Sequence, residues 1–158
     1  MSDENWKTEL KELFEGLEVI EISKKETVEK FNQFRELVAE PAFELLSEEL
    51  KEYRVKSYYK KSRDCTIYFW ISFPRSRKDF FHYIIYLPKN SVELNLKLLL
   101  KARRTKKSPL TEREEEFMEY RSPEEISKMR KEDLILDFIM HFRNIQYELQ
   151  TRREPFNP

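Results

Sequence analysis

Residues 65–87 read CTIYFWISFPRSRKDFFHYIIYL and carry the clearest secondary-structure signal of the chain. Two runs of alternating apolar side chains flank residues 74–78, whose proline and charged residues are typical of a turn. We predict a β-hairpin with a five-residue loop, in which Phe73 pairs with Asp79. That register puts the most apolar set of both strands on one face, as a core face requires. It pairs Ile71 with Phe81, Phe69 with Tyr83, Ile67 with Ile85 and Cys65 with Leu87.

The same register gathers large side chains on the opposite face of the hairpin. Trp70 then lies opposite His82, and Tyr68 lies opposite Ile84. Left exposed together, these side chains exceed the few hundred Å² of contiguous apolar surface that soluble monomers usually carry. We therefore expect a cover for this set, which we call the aromatic face: Tyr68, Trp70, Phe80, His82, Ile84 and Tyr86.

Patterns on either side of the hairpin extend the predicted architecture. Apolar residues at three- and four-residue steps predict helices near residues 4–22 and 26–51. Pro41 predicts a kink or a restart in the second helix. Residues 53–60 and 92–98 are strand-like, and the short connections favour a four-stranded antiparallel meander.

The last third of the chain predicts helices again. Thr111 and Glu114 have the spacing of a capping box, which predicts a short helix over residues 112–120. A second such signal at residues 122–125 precedes a final helix, whose apolar stripe runs over residues 134–149. These segments complete the predicted set of elements.

The chain is predicted to be one α+β domain, residues 1–158, with its helices packed on the core face of the sheet. N-terminal helices occupy residues 1–52 and the four-stranded antiparallel meander occupies residues 53–101. Residues 102–158 hold a basic connector followed by the C-terminal helices. The order of elements is therefore helices, sheet, helices.

The net charge is zero, yet charge is segregated along the chain. Residues 1–52 carry 15 acids and 7 bases, residues 53–110 carry 3 acids and 15 bases, and residues 111–158 carry 12 acids and 8 bases. In one interpretation, acidic helices lie beside basic strands and neutralise them. In the other, the two groups point from opposite surfaces, more than a Debye length of ~8 Å apart, and the sheet side attracts a partner. The candidate basic rim comprises Arg54, Lys56, Lys60, Arg75, Arg77, Lys78, Arg103 and Arg104.

Three covers of the aromatic face remain open. In the first, the C-terminal helices form a third layer, and in the second, another copy of the chain packs sheet against sheet. In the third, single-stranded nucleic acid stacks on the rings while the basic rim holds its phosphates. The leading hypothesis is a non-catalytic protein-interaction or self-association domain, a homodimer in its simplest form. Single-stranded nucleic-acid binding by the same face is the alternative.

The sequence carries no recognisable catalytic, metal or cofactor motif. Gly16 is the only glycine, which excludes the glycine-rich loops that cradle nucleotide phosphates. Cys65, His82 and His141 are too few for a Cys/His zinc site in one chain and match no nucleophile–base pattern. No apolar run approaches the ~20 residues of a membrane span, and the first residues do not read as a signal peptide. We expect a cytoplasmic protein with no enzymatic activity, no cofactor and no membrane contact.

Overall fold

A computed structural model describes residues 4–72, 80–104 and 107–151 of the chain. Over these residues the protein has N-terminal helices, an antiparallel sheet and C-terminal helices, which confirms the predicted α+β class. The sheet within these ranges has five strands rather than four. None of the helices in this part of the chain is long and apolar enough to span a lipid bilayer.

The N-terminal region is almost one continuous helix. Its segments are α1 (Asn5–Phe34), a π-helical turn (Arg35–Ala39) and α2 (Glu40–Lys51). The predicted break between residues 22 and 26 is therefore wrong. The Thr27 hydroxyl donates a 2.8 Å hydrogen bond to the Ser23 carbonyl oxygen one turn earlier, and the helix runs unbroken through this segment. Gly16 also lies inside α1, where its cost of ~1 kcal/mol relative to alanine does not break the helix.

Pro41 accounts for the π-helical turn that precedes it. Proline has no N–H to donate to the carbonyl four residues earlier, and its ring clashes with that carbonyl in an ideal α-helix. The turn Arg35–Ala39 widens the helix directly before this position. The irregularity expected at Pro41 therefore takes the form of one wide turn, with helix on both sides.

The sheet is an antiparallel meander in which each strand pairs with the next along the chain. Its strands are β1 (Lys56–Ser62), β2 (Thr66–Ser72), β3 (Phe80–Tyr86), β4 (Lys97–Arg103) and β5 (Thr111–Glu116). The β2–β3 register is the predicted one, with Ile71 paired with Phe81 and Phe69 paired with Tyr83. Residues 73–79, which carry the predicted turn, lie outside the described ranges.

The C-terminal half of the sheet differs from the prediction. Strand β4 begins at Lys97, later than the alternation from Val92 indicates. Strand β5 occupies the segment where the capping-box spacing predicts a helix. Pairing with the edge of β4 decides this, since Lys97 lies opposite Glu116, Lys101 lies opposite Glu112, and opposite charges stabilise cross-strand pairs. The sheet therefore continues past the basic connector to residue 116.

Two helices follow the sheet, α3 (Pro123–Ser127) and α4 (Lys131–Thr151). The predicted capping signal before α3 is confirmed. The Ser122 hydroxyl oxygen accepts from the Glu125 N–H, and the Glu125 carboxylate accepts from the Ser122 N–H. Both orphan donors at this helix start are thereby satisfied.

Aromatic rings join the helices to one face of the sheet. Phe43 of α2 stacks on Phe69 of β2 with ring centroids 4.6 Å apart. Phe138 of α4 packs edge-on against Phe69 and against Phe81 of β3. All four rings are at most 2% exposed, so this face forms the core of the domain.

Candidate functional site: the aromatic sheet face

The aromatic face lies on the sheet surface opposite the helices, which we call the outer face. Successive side chains of a strand point to opposite faces, and the observed pairs Trp70–His82 and Tyr68–Ile84 are the predicted ones. The ring contacts of α2 and α4 with the sheet all fall on the other face. Helix α4 therefore does not cover the aromatic face. The first of the three predicted covers, a third layer of C-terminal helices, is wrong for this helix.

A row of rings crosses the outer face from β1 to β3. The Tyr58 ring packs on Trp70 with centroids 4.8 Å apart, and Trp70 meets His82 edge-on at 5.9 Å. His82 contacts Phe80 at 4.8 Å, and the Arg103 guanidinium lies 5.3 Å from the centre of the Phe80 ring. Each ring is thus fixed by a neighbour, and the Arg103 contact has the geometry of a cation–π interaction.

The side chains on the outer face differ in exposure. Ile84 is only 4% exposed, whereas the other members of the aromatic face are half-buried. Tyr58 is 53% exposed and lies outside the predicted set, although it pairs directly with Trp70. The segment YRVKSYYK of residues 53–60 has no clean alternation, so the sequence gives no reason to place Tyr58 on this face. The surface combines a packed centre with one exposed ring beside the edge.

His82 lies at the centre of the row and is held neutral there. Burial, and after it the positive charge of Lys101, its cross-strand neighbour, together lower the pKa of the His82 imidazole from 6.5 to about 4. Both causes disfavour the imidazolium form. His82 is therefore a neutral ring at physiological pH, and its imidazole becomes charged only in acid.

The charge of the outer face changes sign from one edge of the sheet to the other. Lys56 and Lys60 lie on β1 at the first edge. At the opposite edge, β5 places three carboxylates on the same face, Glu112, Glu114 and Glu116. Strand β4 adds Lys97 and Lys101, which lie opposite two of these glutamates. The interpretation with a basic sheet side therefore fails at the β5 edge, where the unpredicted fifth strand brings acids onto the outer face.

The predicted basic rim divides into three groups. Three of its members lie on the outer face, Lys56, Lys60 and Arg103. Arg54 lies in the turn before β1 with a positive φ of 61°, and Arg104 directly follows β4. Three others lie outside the described residues, Arg75, Arg77 and Lys78. The structure therefore brings only part of the rim next to the rings.

A buried polar cluster on the helix side of the sheet has no counterpart in the predictions. The Tyr83 hydroxyl donates a 2.5 Å hydrogen bond to Oδ2 of Asp137. His141 Nε2 lies 3.6 Å from the same oxygen and 3.4 Å from Oε1 of Glu115. Burial raises the pKa of the Asp137 carboxyl, and burial together with that carboxyl raises the pKa of Tyr83 well above 10. The cluster links β3, β5 and α4.

The sequence signal for this cluster is weak. Asp137 and His141 stand four residues apart, so they share a helix face, but an apolar stripe surrounds them. Within residues 4–72, 80–104 and 107–151, no group of three or more His, Cys, Asp or Glu side chains has the arrangement of a metal site. Cys65 is half-buried, and burial raises the pKa of its thiol, which disfavours the reactive thiolate.

Comparisons of the chain with known protein families, with curated proteins and with solved structures give no match.

Proposed function

We propose that the protein is a non-catalytic self-association domain, in which two copies pack face to face through the outer face of the sheet. One observation carries the proposal: the outer face is basic at the β1 edge, aromatic in the middle and acidic at the β5 edge. A surface with this gradient is complementary to a second copy of itself. Closed two-fold dimers are also the commonest soluble assemblies.

The geometry of the pairing follows from the strand order. β3 is the middle strand, with β1 and β5 at the edges. A two-fold axis parallel to the strands and passing over β3 puts β1 of one copy above β5 of the other. Residues in the same cross-strand row then meet, and Lys60 shares its row with Glu114 through Tyr68, Ile84 and Leu99. Lys60 of each copy therefore faces Glu114 of the other.

Size and chemistry support this pairing. Five strands spaced ~4.8 Å apart and about seven residues long cover roughly 20 Å by 20 Å. With side-chain relief, two such faces bury on the order of 1,000 Å², where specific interfaces begin. The ring row lies at the centre, where aromatic side chains contribute most to binding, and the charges lie at the rim.

Single-stranded nucleic acid is the alternative occupant of the same face. Tyr58 and Trp70 offer rings for base stacking, and Lys56 and Lys60 offer phosphate contacts. The three glutamates of β5 oppose it, because they repel phosphates at the β5 edge of the face. For this reason we propose the second copy as the occupant.

Charge reversal tests the proposal without touching the core. Lys60→Glu or Glu114→Lys alone places like charges opposite each other, so each is expected to weaken association at least tenfold, and the double variant K60E/E114K is expected to restore it. Arg143→Glu, at an exposed position of α4, is the matched control and is expected to change nothing. The measurement is sedimentation mass against protein concentration. Masses unaffected by both single reversals would overturn the proposal.

The same variants separate the nucleic-acid alternative. If Lys60→Glu abolishes binding of a labelled single-stranded oligonucleotide at low salt, and Glu114→Lys strengthens that binding without changing the mass, the face is a nucleic-acid platform. That result also contradicts self-association through the sheet.

A further inference from the structure

The N-terminal part of α1 carries an apolar stripe that no other element contacts among the described residues. Residues 4–22 are all exposed, and the helix extends ~27 Å over residues 5–22. The stripe recurs at alternating steps of four and three residues: Trp6, Leu10, Leu13, Leu17 and Ile20. Further along the same helix, the spacing leads into side chains that are buried in the core, Thr27, Phe31 and Phe34. Among the described residues, the stripe itself is therefore exposed, and its continuation along α1 is buried.

The exposure of these side chains is unusual for their type. Trp6 is 59% exposed, Leu13 is 55% exposed, and Phe14, which flanks the stripe, is 61% exposed. The steps of four and three average 3.5 residues, which is the period of a helix that packs along its whole length against another helix. A helix of this kind is stable in water when a partner covers its stripe.

We infer that the stripe pairs with the same stripe of a second copy, in an antiparallel two-helix coil spanning residues 5–24 of both chains. The antiparallel register that pairs Leu13 with Leu17 of the other copy also pairs Leu10 with Ile20. It brings Lys24, the one charged residue at a stripe position, against Trp6 of the other copy. An ammonium group over an indole ring is a favourable cation–π pair.

Charge complementarity selects this orientation over a parallel one. In the antiparallel register Lys7 of one copy flanks Glu21 of the other, twice per dimer by symmetry. In a parallel pair, Lys24 of one copy would face Lys24 of the other in the seam. The two Lys7–Glu21 pairs would be lost, and no other Lys–Glu pair would form between the helices. The self-complementary pattern therefore favours antiparallel helices.

Gly16 fits the same register. It flanks the seam at the midpoint of the paired segment, where it lies beside Gly16 of the other copy. No atom lies within 4 Å of a Cβ built on Gly16, so nothing in the described part of one chain explains the small side chain. Small residues at a crossing point allow two helix backbones to approach closely.

A groove lies where the stripe meets the body of the domain. It has a volume of about 580 Å³, and its lining includes Lys24, Val28, Leu87 and Pro88. Because the register puts Trp6 of the second copy against Lys24, the indole ring arrives at the mouth of this groove. Together the two stripes bury on the order of 1,000 Å², which meets the size of a specific interface.

Substitution of the stripe tests the inference. Leu13→Glu is expected to weaken the helix pairing at least a hundredfold, because it buries a carboxylate in the seam. Val19→Glu is the matched control: Val19 is 61% exposed on the same helix but lies off the stripe. The measurement is sedimentation mass, with far-UV circular dichroism to check that the fold is retained. Equal masses for wild type and Leu13→Glu would overturn the inference.

Crosslinking tests the orientation independently of stability. In a Cys65→Ser background, Gly16→Cys is expected to crosslink efficiently with a short bis-maleimide, since the two positions adjoin only when the helices are antiparallel. Glu15→Cys, which points away from the seam, is expected to give none. Failure of Gly16→Cys to crosslink in a protein that still associates through Leu13 would contradict the antiparallel register.

The helix pairing and the sheet pairing are distinguishable. Leu13→Glu is expected to abolish the helix pairing and keep the sheet dimer intact. Lys60→Glu is expected to weaken the sheet pairing and keep the helix dimer intact. The double variant is expected to be a monomer. If Lys60→Glu changes nothing while Leu13→Glu gives monomers, the sheet proposal fails and the helix inference stands. If Leu13→Glu changes nothing while Lys60→Glu gives monomers, the helix inference fails and the sheet proposal stands.

Discussion

The Tyr83 hydroxyl on β3 donates a 2.5 Å hydrogen bond to the carboxylate of Asp137 on α4, and both side chains are almost completely buried. The bond joins residues 54 positions apart in sequence and ties the helix layer to the centre of the sheet. A buried carboxylate needs such partners, because burial without them costs several kcal/mol.

Tyr83→Phe is expected to lower the free energy of unfolding by about 1–3 kcal/mol, because Asp137 loses its closest donor while it stays buried. Asp137→Asn removes the carboxylate that accepts this hydrogen bond and, with it, the buried negative charge. The double variant is therefore expected to cost less than the sum of the two single variants. Urea denaturation of all four proteins at neutral pH measures this coupling, and strictly additive losses would contradict it.

The hairpin register is predicted correctly to the residue, because each of its strands alternates and a shift by one position would exchange the core and outer faces. The Tyr83–Asp137 contact has no comparable local signal. It depends on where α4 crosses the sheet, which no short-range pattern determines. The sequence therefore predicts the face on which Tyr83 lies and leaves its partner unknown.

Strand β5 shows a different limit. Its sequence TEREEE has neither alternation nor β-branched residues after Thr111, and a capping-box spacing favours helix. Pairing with the basic strand β4 overrides this local preference. The error carries over to the candidate site, since a helix at residues 112–120 would not have placed the three glutamates of β5 on the outer face.

Phe43→Ala is expected to be the most damaging of the core substitutions considered, with a loss of about 3–5 kcal/mol. The Phe43 ring is fully buried, stacks on Phe69 and meets Tyr83 edge-on. Leu37→Ala is the comparison, since Leu37 is 70% exposed on the π-helical turn and is expected to change stability by less than ~0.5 kcal/mol. Chemical denaturation followed by circular dichroism measures both, and similar losses would refute the assignment of the core.

The pH dependence of stability is expected to report on His82. Its pKa is about 4 in the folded protein and near 6.5 in the unfolded chain, so the unfolded chain binds the proton first as the pH falls. The contribution of neutral His82 to the free energy of unfolding is therefore complete above pH ~6.5 and is lost between pH ~6.5 and ~4. After a discount for the partial exposure of the ring, the loss is about 1–2 kcal/mol.

His82→Phe isolates this contribution, because it keeps a ring between Trp70 and Phe80 and removes the titrating group. The wild-type free energy of unfolding, compared with that of the variant, is expected to decline as the pH falls from 7 to 4. Contributions from Asp137 and the other carboxylates occur in both proteins and cancel in the difference. Parallel pH profiles for the two proteins would show that His82 is not shielded from solvent.

Gly16→Ala is expected to stabilise the projecting half of α1 by about 0.5–1 kcal/mol, because alanine loses less conformational freedom in a helix than glycine. The new methyl group meets no atom within 4 Å in the single chain. Hydrogen exchange of the amides of residues 5–22 measures the effect locally, at a concentration where the protein is monomeric. Val19→Gly, three residues further along the same exposed helix, is expected to accelerate exchange by a smaller factor, because valine is a weaker helix former than alanine. At higher concentration the bulkier Gly16→Val is expected to weaken the helix pairing, and unchanged association in that variant would argue against a close approach at residue 16.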